Sequence, residues 1–94
     1  MPLFIVQHRH DANNCPAKNP ELGQMLLKHL ASANDYKVNI KSEGVANGSH
    51  RLFLFIESES RENVENFMKP FYQFGEVEIF TASLCESVVE RGGC

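Results

Sequence analysis

Two apolar runs constrain this chain more than anything else in it: Leu3-Phe-Ile-Val6 and Leu52-Phe-Leu-Phe-Ile56 are apolar at both odd and even positions. Both are short and rich in β-branched and aromatic residues, so each reads as a strand covered on two faces. Such a strand needs a layer on either side. The segments between the runs supply one layer. Asn19-Pro20-Glu21 offers an N-cap, a proline at the first helical position and an acid in the first turn, and Leu22, Met25, Leu26, His29, Leu30 and Ala33 then follow at helical spacing. Ser60 caps a second helix with a stripe of Val64, Phe67, Met68 and Phe71, which Pro70 and Gly75 bring to an end.

The other elements fall around these. Leu3 to His10 is the first strand; Tyr36 to Val45 alternates as a half-exposed strand and turns at Asn47-Gly48 into the strand His50 to Glu57; Val77 to Thr81 is the fourth. Ser83 and Glu86 have the spacing of a capping box, which predicts a terminal helix over Leu84 to Arg91. Its Leu84, Val88 and Val89 predict that it packs down with Cys85 buried beside them. The order β-α-β-β-α-β with a short last helix predicts an α+β, ferredoxin-like fold with a four-stranded antiparallel sheet, one domain over residues 1–94. In this reading the first and third strands lie side by side and parallel at its centre, so that Glu57, Ser58 and Glu59 become neighbours of His8 and His10.

The element order, with Met68-Lys-Pro-Phe71 followed by Phe74-Gly75-Glu-Val77, resembles the dimeric α+β barrel class. That class includes cofactor-free monooxygenases, small isomerases, a heme-degrading branch and small nickel-binding proteins. The resemblance implies a homodimer closing sheet on sheet, the second layer that the doubly apolar strands call for.

Composition narrows the partners. Nine Lys and Arg against twelve Asp and Glu give a net charge of -3, which lacks the basic footprint of a nucleic-acid binder. No apolar run approaches the roughly 20 residues of a membrane span, and no export signal opens the chain, so a cytoplasmic protein is expected. Three cysteines, Cys15, Cys85 and Cys94, argue against a disulfide framework, although a Cys85 to Cys94 bridge stays open.

Chemistry is left to a few residues. His8-Arg9-His10 puts two imidazoles at i and i+2 on one strand face, roughly 7 Å apart. Cys15 follows in the loop that leaves the strand. Two nitrogens and one sulfur suit a borderline or soft transition-metal ion: Zn, Ni, Cu or Fe. Cys94, folded back on its Gly92-Gly93 tail, or a carboxylate such as Glu57 can complete the set. His29, inside an apolar stripe, reads as a satisfied core or edge histidine, and His50 as a surface residue. Phe53, Phe55, Phe67, Phe71, Tyr72 and Phe74 read as core rather than pocket. The leading function is a small metal-binding protein with ligands His8, His10, Cys15 and Cys94. The alternative is a cofactor-free barrel enzyme in which His8 or His10 is a general base acting on a small aromatic or quinone-like molecule.

Overall fold

The computed structural model describes residues 2–94. Its four strands, β1 (Leu3–Arg9), β2 (Val38–Ala46), β3 (Arg51–Ser58) and β4 (Glu76–Ala82), form one sheet in the order β2-β3-β1-β4, with every neighbouring pair antiparallel. Helices α1 (Pro20–Ala31) and α2 (Arg61–Met68) follow β1 and β3, and α3 (Cys85–Arg91) follows β4. This is the expected ferredoxin-like α+β fold.

One expectation about the sheet is corrected. β1 and β3 are adjacent at its centre but antiparallel, with Leu3 opposite Glu57 and Arg9 opposite Arg51. The reason lies in the chain path: α1 returns the chain before β2, so β2 runs with β1, and the hairpin then reverses β3. Glu57, Ser58 and Glu59 therefore stand at the far end of β1 from His8 and His10. The end that carries the histidines meets instead the start of β3, the β2–β3 hairpin and the start of β4.

Two caps work as their sequences suggest. Asn19 Oδ1 accepts hydrogen bonds from the Glu21 and Leu22 backbone N–H groups, and Ser60 Oγ accepts from Asn63 N–H, so each satisfies N–H groups that a helix start leaves free. The third does not. The residue at the N-cap of α3 is Leu84, with no side-chain cap, and Ser83 Oγ accepts from the Arg91 guanidinium at 3.2 Å. No residue of α3 is buried: Cys85 is exposed, and Leu84 and Val89 are 66% and 78% exposed. All three cysteines are free thiols.

Strand alternation divides the sheet cleanly. Phe4, Val6, His8, Leu54, Ile56 and Ser58 point to the helix side and are buried there with Val64, Phe67, Met68 and Phe71. The opposite face carries Ile5, Phe53, Phe55 and Phe80, with Ile5 opposite Phe55 on one side and Phe80 on the other. Phe55 and Phe80 are 42% and 49% exposed. Within a single chain the two apolar runs are thus covered on one face only. Of the aromatic residues expected in the core, Phe67 and Phe71 are there, Phe74 packs at its edge, and Phe55 and Tyr72 are exposed.

α1 is set less deeply than its stripe predicts. Leu26 is its single buried residue, while Met25 of that stripe is more than half exposed, as is Leu27 outside it. The helix leans on the single 3-10 turn Pro16–Lys18 and on a second at Ala33–Tyr36 rather than lying flat on the strands. A cleft is left beneath it.

Candidate metal centre

The end of β1 is built by three local devices. First, the β2–β3 hairpin closes through Asn47–His50, with Gly48 and His50 in the left-handed region at φ 78° and 53°. Glycine adopts that conformation freely and histidine only when the surroundings hold it. The hold is visible: His10 backbone N–H donates to His50 O at 3.2 Å, and the two imidazoles meet edge to face with centroids 5.1 Å apart. Second, Cys15 links two short 3-10 turns, Ala12–Asn14 and Pro16–Lys18, in an extended conformation at φ -65° and ψ 114°. Its carbonyl accepts from Lys18 N–H and Pro16 is buried, so the loop folds back over the strand end. Third, Gly75 brings the start of β4 against β1 so closely that a Cβ there would lie 2.0 Å from Arg9 O and 2.9 Å from His10 Cα. Any side chain at that position would push His10 away.

These devices gather His10, Cys15 and His50. One ligand atom from each lies within 4.8 Å of the other two, and each residue is partly buried. Both ring nitrogens of His10 are shielded from solvent and have no hydrogen-bond partner among the described residues. Buried polar atoms nearly always find a partner, so an imidazole with two idle nitrogens beside a thiol and a second imidazole fits an ion as the missing partner. At that outer limit of 4.8 Å an ion would lie about 2.8 Å from each atom, against roughly 2.0–2.3 Å for zinc with nitrogen and sulfur, so the gap to close is at most that large. Closing it takes a contraction of at most about 1 Å per pair, within reach of small χ rotations. Two imidazoles and a thiolate are soft to borderline donors, suited to Zn, Ni, Cu or Fe and unsuited to Mg or Ca.

His8 has a different place. Its side chain is buried, with Nε2 at 2.9 Å from Phe71 O. A carbonyl oxygen only accepts, so Nε2 carries the proton and donates it. The His8 ring is 5.4 Å from that of His10 and makes an edge contact with Phe71 at the same distance. Burial holds its pKa below the usual histidine value; the Phe71 hydrogen bond opposes this and the neighbouring His10 adds to it. His10 is lowered as well, chiefly by burial and then by His50, against a smaller opposing effect of Asp11. Both imidazoles are thereby favoured in the neutral form that ligates metals.

Comparison with known proteins identifies a fold. No family model matches the chain, and no curated protein does. A solved structure does, however. The crystal structure of SCO4226 from Streptomyces coelicolor A3(2) superposes with a TM-score of 0.60 at 21% identity, over 87% of this chain and 96% of that one. The likeness is one of fold.

Of the four ligands read from the sequence, the structure brings His10 and Cys15 together and adds His50. His8 lies beside the group with its Nε2 proton committed to Phe71. Cys94 is outside it: β4 ends with Ala82 opposite Leu3, so α3 starts at the far end of β1, and Cys94 is exposed at the end of a tail in which Arg91 Nε donates to Gly93 O. His50 was legible in principle, because an antiparallel third strand begins where the first ends. His29 is the satisfied histidine expected of it, donating from Nε2 to Phe67 O and stacked on the Phe67 ring at 4.7 Å. Among the described residues no helix is long and apolar enough to cross a membrane.

Proposed function

We propose that the protein is a small transition-metal-binding protein that holds one ion per chain through His10, Cys15 and His50, and that two copies associate through the open faces of their sheets. The single observation that carries the metal reading is the convergence of His10, Cys15 and His50, in which neither His10 ring nitrogen has a hydrogen-bond partner among the described residues. Three protein ligands leave a fourth position for an exchangeable ligand. That arrangement suits binding, buffering or delivery of Zn, Ni, Cu or Fe. His8 acts beside it as a positioning residue: fixed by Phe71 from behind, its ring limits the rotation of His10.

Association is supported by the sheet. Ile5, Phe53, Phe55 and Phe80 share the sheet face opposite the buried one, and Leu84, the N-cap of α3, and Val89 within that helix stand exposed. A second copy of the same face, related by a twofold axis, would cover that face and complete the barrel expected from the sequence.

The test is metal content by elemental analysis of untagged protein, for the wild type and for His10→Ala, Cys15→Ser, His50→Ala and a chain ending at Gly93. One equivalent of a transition metal is expected in the wild type and in the truncated chain, and a loss of at least about tenfold in affinity in each of the three substitutions. A wild type that takes up no Zn, Ni, Cu or Fe refutes the proposal. So does His50→Ala binding as tightly as wild type, since the group of three would then be accidental.

A further inference from the structure

The metal group opens onto a recess of the fold. It forms one end of a cleft of about 580 Å³ between α1, the hairpin and the helix side of β1 and β3, a size within the range of small-molecule sites. The walls are Leu26, Leu27, Leu30, Val45, Leu52 and Phe71. The apolar stripe of α1 is left in part to line it, through Leu26 and Leu30, and Leu27 beside that stripe is still 55% exposed.

Its charge is as telling as its shape. No Asp, Glu, Lys or Arg is among the described residues that line it. Asp11, whose charge is felt by His10, is exposed and lines a separate groove that shares only His10 with the cleft. A divalent ion held by one thiolate and two neutral imidazoles keeps a net charge of about +1 in apolar surroundings, where an uncompensated charge is costly. The ion also has a coordination position to fill.

Resting on the metal reading above, we propose that the cleft binds a small organic monoanion, a single anionic donor head on an apolar body, with its head on the ion's open position and its body between α1 and β3. The head neutralises the site, and the body covers the leucine wall that the fold leaves bare. A neutral molecule would meet only the second requirement, and a small inorganic or acetate-sized anion only the first. No covalent bond of the ligand changes; the metal–solvent bond breaks, the anionic head takes that coordination position, and the solvent molecule leaves to bulk.

Cobalt(II) provides the probe, because its visible bands report directly on the ligands it holds. The cobalt-loaded protein would be titrated with phenylbutyrate, acetate and phenylbutanol, and the apo protein with phenylbutyrate by heteronuclear NMR. Phenylbutyrate is expected to change the cobalt bands and to bind at least about tenfold more tightly than acetate, since burying even two or three methylene-sized groups is worth that factor. Phenylbutanol should leave the bands unchanged, and the apo protein should bind phenylbutyrate at least about tenfold more weakly. Leu27→Ser, which alters the wall and no ligand, should keep one equivalent of cobalt while losing most of the preference for phenylbutyrate. Cobalt bands that respond equally to acetate and phenylbutyrate, or not at all, overturn this proposal and leave the metal reading standing. Failure to take up cobalt overturns this proposal, and failure to take up Zn, Ni, Cu and Fe as well overturns both.

Discussion

Gly75→Ala is the sharpest test of how the site is held. Position 75 is extended backbone, so conformational strain is not the issue; space is. A Cβ built there would lie 2.0 Å from Arg9 O, 2.8 Å from Arg9 C and 2.9 Å from His10 Cα, all backbone atoms of the strand that carries the site. An ordinary contact is roughly 3.4–4.0 Å, so the start of β4 and the end of β1 must part by about 1.4 Å. No flexible side chain can absorb this movement. It must open the Arg9 to Glu76 register, which a 3.0 Å ion pair between the same two side chains also spans. That ion pair is exposed and contributes little. Overpacking against backbone costs about 1–3 kcal/mol, and with neighbours on two residues the upper half, about 2–3 kcal/mol, is expected. For a domain of this size the melting temperature should fall by about 10–20 °C. Gly44→Ala is the control, with nothing within 4 Å of its Cβ in β2; it should be neutral or stabilising by up to about 1 kcal/mol, as alanine is favoured over glycine in a strand. Urea unfolding followed by circular dichroism gives both values. The reasoning fails if Gly75→Ala lies within a few tenths of a kcal/mol of wild type, or if the two glycines respond alike. If the substituted protein remains folded, its metal affinity should also drop, because the backbone that moves is that of His10.

Two further outcomes follow from the same structure. The pKa values of His8 and His10 are lowered on folding, mainly by burial, so below about pH 6.5 the unfolded chain takes up protons that the folded one does not; apo-protein stability should therefore be flat just above about pH 6.5, fall as the pH drops below it, and fall less steeply in His8→Gln. A fall on raising the pH from about 6 to 8 would contradict the sign. Phe55→Lys, placing a charge in the middle of the open sheet face, should shift the protein toward the 10.6 kDa monomer in sedimentation at tens of micromolar, roughly, without unfolding it; unchanged sedimentation would place any association elsewhere.

The sequence by itself determined the elements and most of their ends. Periodicity placed four strands and two main helices, and the caps at Asn19 and Ser60 act as written, because a cap joins atoms only two or three residues apart. The helical stripe around His29 likewise announced a histidine with a local core role. The capping box at Ser83 did not form, since its hydroxyl found the Arg91 guanidinium instead, a competitor that the local spacing does not reveal. The site shows the boundary most clearly. His10 and Cys15 are five residues apart and were paired from sequence alone. His50 is forty residues from His10 and joins them only through the antiparallel register that brings the hairpin to the end of β1. His8 belongs to the same strand face as His10, but its Nε2 is claimed by Phe71, sixty-three residues away. Likewise the spacing of α1 names its leucines without saying how deeply the helix is set, which depends on the turn at Pro16–Lys18 and leaves a cleft in place of a filled core. Local hydrogen bonds and periodicity act over a few residues and can be read along the chain. Strand direction, hydrogen-bond competition and the seating of a helix are settled between segments distant in sequence, and only the folded chain decides them.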